Sequence, residues 1–283
     1  MKMKILLITL LVSCQILGQD LPAYKLFNSK GKEASFKELV EALEECDIAL
    51  FGENHDNPIA HWLQYEVTKE LNSRRSLTLG AEMLESDNQD ELNDYLSGVI
   101  DAEAFDTLAR LWTNHATDYA PLVDFAKENK LRFIATNIPR RYAKMVYKKG
   151  FAVLDSLTDK EKSWIAPLPI TFDPDLATYQ NILVMMGEHG TPELVMAQAT
   201  KDATMAHFIL KNYVPGKLFL HYNGAYHSNN YEGILWYLKL EQPQRRYVTI
   251  STVDQKDIKK LEKENKGIAD FVICVDSDMT TTY

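Results

Sequence analysis

Acidic, amide and imidazole side chains crowd the segment "FGENHDNP", residues 51–58, directly after an apolar run. Within five positions after Gly52 the chain carries Glu53, His55 and Asp56, together with two asparagines. A turn needs only one or two such groups. Carboxylates and imidazoles at this spacing can hold a divalent metal ion or transfer protons as general acids and bases.

Similar groups follow three further apolar runs of the chain. They are Glu82 at the end of the second run, Arg140 after the third and His227 after the fourth. Ligands collect beyond the carboxyl ends of the strands in an open parallel sheet. We therefore predict that these side chains surround one pocket with His55, whereas the opposite ends of the runs show no comparable set.

Six apolar runs of strand length alternate with segments of helical periodicity. Polar residues interrupt the runs only rarely, as expected for strands buried on both faces. The pattern predicts an α/β fold with a mainly parallel central sheet flanked by helices. The runs are residues 47–52, 76–83, 131–137, 217–223, 246–253 and 270–276, and the helical segments include 57–74, 119–130 and 139–150.

The interval from about 151 to 214 shows helical periodicity and no strand pattern. We interpret it as a helical cap inserted into a single domain that covers residues 20–283. Asn57-Pro58 and Ile138-Pro139 predict two helix starts, whose free N–H groups would face the cleft. Arg140 would then lie in a first helical turn, where the helix dipole disfavours a cation, so we expect it to have an anionic partner, with Glu82 as one candidate.

The first nineteen residues have the pattern of an export signal, because two lysines precede an apolar run too short to span a bilayer. Residues 11–14, "LVSC", have the form of a bacterial lipobox, in which Cys14 would carry a lipid anchor. The alternative is cleavage near Gly18 or Gln19 and release without an anchor. Either way we expect an exported protein, as a membrane-anchored lipoprotein or in periplasmic or secreted form.

Composition excludes several classes of protein. The hydrophobic fraction of 46% is ordinary for a globular domain, and a net charge of −9 argues against binding to nucleic acid. Beyond Cys14 the chain has Cys46 and Cys274 without C-x-x-C spacing, which excludes a zinc knot. These two could form one disulfide in an exported protein, but we favour two buried free thiols.

Five dispersed blocks of the sequence resemble the ChaN-like haem-binding family of the Tiki/EreA-like superfamily. They lie in the family's order between residues 46 and 240: "FGENHDNPIAHWLQ", "GAEMLESDNQDELNDYLSG", "WTNHATDYAPLVDFAKENKLRFIATNIPRR", "AQATKDATMAHFI" and "NGAYHSNNYEGI". The resemblance implies an α/β fold with a helical cap and a bacterial lipoprotein of haem or iron uptake. It also implies distant kinship to erythromycin esterases and to metal-dependent proteases.

The family's motifs correspond to individual positions of this chain. The two Gly-x-x-His motifs match Gly52 to His55 and Gly224 to His227, the strand-end glutamate matches Glu82, and the "NxPR" element matches Asn137 to Arg140. After His227 the chain continues with "SNNYEGI" instead of the family's small residues, Tyr and Gly. Because of this departure, the resemblance does not carry a ligand over to Asn230.

The resemblance supports haem binding as the first hypothesis for function. Haem iron is held by His, Met, Cys or Tyr, and tyrosinate suits ferric iron. We select Tyr226 and Tyr222 as candidate iron ligands because they flank the late glycine motif, with Arg140 and Arg141 as partners of the propionates. A homodimer is compatible with this hypothesis. Other candidate iron ligands are Tyr231, Met185, Met186 and His189.

The second hypothesis is a hydrolase of the esterase or peptidase type. Its metal ligands would be His55, Glu82 and His227, which could activate water on a divalent ion. The same groups could also act without a metal, with Glu53 in the acid–base set and Arg140 holding an anionic substrate group. The sequence leaves both hypotheses open.

The lipobox makes a testable prediction about anchoring. A Cys14→Ala protein should lose partitioning into the detergent phase and keep its fold, because a single lipidated cysteine would supply the whole anchor. Phase separation in Triton X-114, with circular dichroism of both proteins, measures this. Equal partitioning of the parent and the variant would leave secretion without an anchor.

Overall fold

One eight-stranded sheet runs through residues 21–283, the part of the chain that the computed structural model describes. The predicted export signal and Cys14 lie outside the described residues. The strands are β1 (Tyr24–Asn28), β2 (Glu33–Ala34), β3 (Ile48–Glu53), β4 (Leu77–Glu85), β5 (Arg132–Asn137), β6 (Leu218–Gly224), β7 (Tyr247–Gln255) and β8 (Phe271–Asp276).

The strands lie in the order β2-β1-β8-β7-β3-β6-β4-β5. Strands β3 to β8 pair in parallel, whereas β1 runs antiparallel to both β2 and β8. The predicted α/β class with a mainly parallel sheet is therefore confirmed, and the six predicted runs coincide with β3 to β8 to within two residues. The sequence reading missed β1 and β2, which are short and lie at the edge.

Helices flank both faces of the sheet. They are α1 (Phe36–Glu45), α2 (Pro58–Asn72), α3 (Gln89–Ser97), α4 (Ala102–Leu108), α5 (Ala120–Glu128), α6 (Arg140–Lys149), α7 (Asp159–Lys162), α8 (Ala177–Met186), α9 (Pro192–Asn212) and α10 (Ile234–Glu241). Within the described residues, no helix combines the length and the apolarity that crossing a membrane requires.

The two predicted helix starts differ in detail. The Asn57 side chain caps α2 by accepting hydrogen bonds of 3.0 Å from the N–H groups of Ile59 and Ala60, with Pro58 as the first helical residue. Helix α6 begins one residue later than expected, because Pro139 occupies the N-cap and Arg140 the first helical position. Both helices begin at the carboxyl ends of strands, as the sequence predicts.

Successive side chains of β3 enter two different cores. Ala49 and Phe51 pack with α1, α2 and α5 on one face, while Ile48 and Leu50 pack with α6, α9 and α10 on the other. All four side chains are fully buried. The sheet is therefore covered on both sides, which explains the nearly continuous apolar runs of the sequence.

Helices occupy most of the interval between residues 151 and 214, and residues 163–176 form an irregular connection. Its longest helix, α9, packs on the sheet face against α6 and α10 and contributes Met205 and Ile209 to the core there. Helix α8 packs instead against the segment that follows β6, where Thr178 donates from its backbone N–H to Glu232 at 2.6 Å. The part of the interval at the carboxyl edge of the sheet is thus α8.

The two described cysteines are free and buried, so the alternative of a Cys46–Cys274 disulfide is wrong. Cys46 directly precedes β3, whereas Cys274 lies in β8, and β7 separates the two strands. Strands two places apart are about 9–10 Å from each other, beyond the roughly 7 Å limit for bridged α-carbons. Burial raises the pKa of both thiols to about 12.

Both thiols should resist modification until the protein unfolds, because buried thiols with a raised pKa supply little thiolate. In a Cys14→Ala protein without reductant, Ellman's reagent should detect two thiols in denaturant and react slowly in native buffer. A Cys46→Ala variant in the same background should release one thiol on unfolding. Fewer than two thiols in the denatured Cys14→Ala protein would contradict the free state.

Candidate functional site

A buried carboxylate and a partly exposed imidazole form the first half of the site, at the end of β3. Glu53 Oε1 lies 2.9 Å from His55 Nδ1 and accepts a hydrogen bond of 2.8 Å from the Tyr119 hydroxyl. Gln64 donates to Oε2 of the same carboxylate at 2.6 Å. The His55 side chain retains 33% exposure, so it is the accessible member of this group.

A carboxylate–imidazole–carboxylate array forms the second half. Glu82 Oε1, from β4, lies 3.1 Å from Nε2 of His227, which follows β6. On its other side, Nδ1 of His227 contacts a carboxylate oxygen of Asp202 on α9. Asp202 in turn accepts a hydrogen bond of 2.9 Å from the Tyr179 hydroxyl on α8. All four side chains are buried, so the array links the sheet edge to two helices.

Gly224, the last residue of β6, joins the two halves. Its backbone N–H donates to Glu82 Oε2 at 2.7 Å. A β-carbon at this position would lie 2.7 Å from His55 Nε2 and 3.4 Å from Glu82 Oε2. Only glycine therefore allows the His55 ring and the Glu82 carboxylate to approach the same backbone atom, which gives a physical reason for glycine in the second Gly-x-x-His motif.

Opposite charges outweigh burial in both halves. Burial disfavours the charged form of His227, but the carboxylates of Glu82 and Asp202 raise its pKa to about 9. Burial likewise opposes ionisation of Glu82, yet His227 holds the pKa of that carboxyl far below its usual range. Near neutral pH this pair therefore carries a negative charge on Glu82 and a positive charge on His227.

In the Glu53 half, the pKa values of the carboxyl and the imidazole shift in the same directions as in the His227 half. Burial opposes the ionisation of Glu53, but hydrogen bonding to His55 and the neighbouring His61 lowers the pKa of the carboxyl. Burial also opposes the charged form of His55, but its bond to Glu53 and the nearby Glu82 raise the imidazole pKa. For Asp202, burial dominates and raises the pKa.

Arg140 does not join these groups, and the ion pair with Glu82 that was one candidate does not form. Arg140 is exposed and forms no ion pair with any residue in the range 21–283, while Glu82 is satisfied by His227 and Gly224. Arg141 points elsewhere, since its Nη1 donates to Asp87 at 2.6 Å and its guanidinium lies over the Tyr142 ring. The structure thus brings together Glu53, His55, Glu82 and His227 but leaves both arginines outside.

The two tyrosines selected as iron ligands have opposite environments. Tyr222 is fully buried, and its hydroxyl lies 2.5 Å from the Thr68 hydroxyl inside the core on the α2 side of the sheet. It has no access to a ligand, so its selection is wrong. Tyr226 follows the strand, is 49% exposed and places its hydroxyl 3.4 Å from the Met185 sulfur on α8.

The predicted metal site receives no support. Among residues 21–283, no three His, Cys, Asp or Glu side chains are arranged to hold a metal ion. The reason is that the charged groups satisfy one another: Glu82 bonds to His227 and Gly224, and His227 is enclosed by two carboxylates. A divalent ion on His55, Glu82 and His227 would have to displace these contacts.

Several members of the site lie on helices and were missed from the sequence. Asp202 and Tyr179 complete the His227 array, and Tyr119 and Gln64 hold Glu53. His61 on α2 is also buried, with Nδ1 3.4 Å from Glu53 Oε2. The available signal was a charged residue in an apolar helix, since Asp202 lies in "AQATKDATMAHFI" among buried neighbours.

Comparison with known proteins identifies the family. The sequence profile described as "Haem-binding uptake, Tiki superfamily, ChaN" matches residues 39–238, well over half of the chain. The chain belongs to the ChaN family. The resemblance drawn from the sequence is therefore confirmed. Glu53, His55, Glu82, Gly224 and His227 all lie within the matched residues.

A solved structure shows the same fold as this ChaN-family chain. The structure described as cofacial haem binding to ChaN of Campylobacter jejuni has a TM-score of 0.67 at 18% identity, covering 90% of this chain and 97% of that one. An erythromycin esterase in its open conformation has a TM-score of 0.46 at 12% identity, covering 91% and 83% of the two chains.

A plant protein matches part of the same chain. It is protein RETICULATA-RELATED 5, chloroplastic, of Arabidopsis thaliana, which is 24% identical over 198 residues. The match covers 64% of this chain and 26% of the plant protein, so the chain spans about a quarter of the length of that relative.

Stability should fall in alkaline solution because of His227. Since the folded-state pKa of about 9 lies above the unfolded value of about 6.5, the stabilisation is complete below the unfolded value and is lost as pH rises through the folded one. Replacing the buried imidazole in His227→Gln should cost about 3–5 kcal/mol at pH 7, because two carboxylates lose their partner. Urea unfolding between pH 6 and 10 measures both effects.

The matched control for this experiment is His189→Gln, which removes an exposed histidine. It should reproduce the parent's fall in stability over the alkaline range. A parent protein whose free energy of unfolding stays level from pH 6.5 to 9 would contradict the charged state of His227.

Proposed function

We propose that this chain binds haem on an exposed apolar face that ends at the Tyr226 hydroxyl. The face comprises Val184, Met185 and Met186 of α8 together with Tyr226, which are 79%, 65%, 45% and 49% exposed, respectively. Soluble proteins rarely leave such a group of large apolar side chains in water without a ligand or partner to cover it. This exposed face is the observation that carries the proposal, and membership of a haem-binding family supports it.

The side chains of the face fit haem chemistry. The Tyr226 phenol can supply an oxygen ligand that suits ferric iron, and the methionines can adapt their shape to a flat porphyrin. Bound haem would supply the iron centre, while the chain would supply an oxygen ligand from Tyr226 and the apolar cover. For the propionates, Arg140 stays a candidate because it forms no ion pair in the described part of the chain, whereas Arg141 is engaged by Asp87.

The cellular role follows from the proposed ligand. We infer an exported protein of a haem or iron uptake system, held at a membrane through lipidated Cys14 or released without an anchor. The pattern of the first nineteen residues and the uptake role in the family description support this inference. A homodimer that covers the apolar face with a second copy is part of the same proposal, and the molecular mass of the haem-loaded protein would measure it.

A hydrolase is the second candidate, and one observation favours it. His55 is a partly exposed imidazole whose orientation is set by a buried carboxylate, the geometry of a general base and its positioning group. The neighbouring Glu82 and His227 are buried and paired, so acid–base chemistry at an incoming substrate would fall to His55. This reading needs no metal ion on the chain's own residues.

Haem binding through Tyr226 predicts a specific spectrum. Hemin added to the purified protein should shift the Soret band and produce Fe(III)–phenolate absorption. Tyr226→Phe removes only the hydroxyl oxygen and keeps the aromatic ring, so it should abolish the phenolate absorption. Tyr147→Phe is the matched control, since Tyr147 is 44% exposed on α6 and lies outside the apolar face.

Adding His55→Ala to this set of proteins separates haem binding from hydrolysis. His55→Ala should leave the hemin spectrum intact, whereas hydrolysis of a chromogenic ester by the parent and its loss in His55→Ala would favour the hydrolase. An unchanged phenolate band in Tyr226→Phe would overturn the assignment of the ligand. No spectral change of hemin with the parent protein would overturn haem binding itself.

A further inference from the structure

A cationic cavity lies at the amino ends of β4, β5 and β6, on the edge of the sheet opposite Gly224. It is open to solvent and has a volume of about 500 Å³. Its lining includes the cationic side chains Arg74, Arg75, Lys130, Arg132 and Lys217, and no acidic side chain of the described chain lines it. The expectation that these strand ends carry no comparable set of side chains is therefore wrong.

The sheet topology brings these cations together from distant parts of the sequence. Arg74 and Arg75 directly precede β4, Lys130 precedes β5, and Lys217 precedes β6. In the sheet, Leu77 pairs with Leu218 and Thr78 with Arg132, so the three strands begin side by side at the spacing of adjacent strands. No continuous stretch of sequence reveals the cluster, because each strand contributes only one or two members.

Most of this charge lacks a carboxylate partner. Arg74 is neutralised, because it donates to Glu70 at 2.9 Å and contacts Glu44. Arg75 instead donates from Nη1 to two backbone carbonyls, those of Glu44 at 2.5 Å and Cys46 at 2.8 Å, which fixes its guanidinium without neutralising it. Within residues 21–283, the other three cations of the cavity form no ion pair.

Stabilisation of α2 does not account for the cluster. Arg74 and Arg75 follow the carboxyl end of this helix, where cations favour the helix dipole. Lys130 likewise follows the carboxyl end of α5. Arg132 and Lys217, however, lie at the starts of β5 and β6, where no helix end needs their charge. In a chain with a net charge of −9, four cations without a carboxylate partner around one cavity favour the binding of an anion from outside.

The backbone conformation at Lys130 belongs to the end of α5. Lys130 has a φ of +55°, in the left-handed region that glycine and asparagine adopt more readily than lysine. This conformation turns the chain from α5 into β5 and leaves lysine at the cavity. The Leu131 N–H donates to the Ala126 carbonyl at 2.8 Å, so Lys130 closes the end of α5 at the position where glycine or asparagine is more usual.

We propose that this cavity binds a phosphate-bearing anion. Guanidinium groups match phosphate oxygens with paired hydrogen bonds, and lysine ammonium groups add charge without fixed geometry. The cavity has the volume of a small-molecule site. It lies on the opposite edge of the sheet from the apolar face, so phosphate and haem would bind independently.

The test uses two double variants of the purified protein in a Cys14→Ala background, so that no lipid anchor contributes. Lys130→Asn with Lys217→Gln removes two charges from the cavity, and asparagine suits the left-handed backbone at position 130. Lys259→Gln with Lys263→Gln removes the same charge from exposed positions between β7 and β8. Isothermal titration calorimetry with inorganic phosphate and pyrophosphate, at constant ionic strength, measures binding, and thermal unfolding checks the fold of each variant.

Binding should be saturable at one site, and the cavity variant should weaken it by roughly tenfold or more, because charge-assisted hydrogen bonds are lost. The control variant should bind like the parent. Co-sedimentation with phosphatidylglycerol vesicles forms the second arm, and binding there that the cavity variant abolishes would assign the phosphate to a lipid headgroup. Equal binding by both double variants, or no binding of phosphate, pyrophosphate or vesicles by the parent, would overturn the proposal.

Discussion

The buried ion pair between Glu82 and His227 is the interaction on which the arrangement of the carboxyl edge depends. Removing two charges from water is costly, and the pair is tolerated because Gly224, Asp202 and Tyr179 satisfy the remaining polar atoms. These partners come from β6, α9 and α8. One chain of polar contacts therefore holds α8 against the sheet. The same buried contacts fix the position of the apolar face that α8 presents.

Residue type and strand position were enough to predict part of this site. Glu53, Glu82 and His227 follow or end apolar runs, and parallel strands bring their carboxyl ends together whatever the details of packing. Arg140 satisfied the same rule, yet its side chain points to solvent, because the position of a backbone does not determine the direction of a long side chain. Asp202 lies on a helix, so only the docking of α9 reveals its role.

Tyr222 and Tyr226 illustrate a different limit. Neighbouring side chains of a strand point to opposite faces, and a polar face normally reveals which is which. In β6 both faces are buried: Tyr222 enters the core beside Thr68, while His221 lies against Thr136 on the other side. Sequence pattern cannot separate inward from accessible positions in such a strand. Tyr226 is exposed because it lies beyond Gly224, where the strand ends.

The position of β6 in the sheet has a consequence for how the protein folds. β6 lies between β3 and β4, although more than half of the chain separates Ile48 from its partner Phe219. During synthesis β3 and β4 therefore emerge long before the strand that must join them, and each exposes an unpaired edge until then. Contacts so distant along the chain slow folding. The insertion of β6 also delivers Gly224 and His227, so the joining of β3 to β4 and the assembly of the site are a single event.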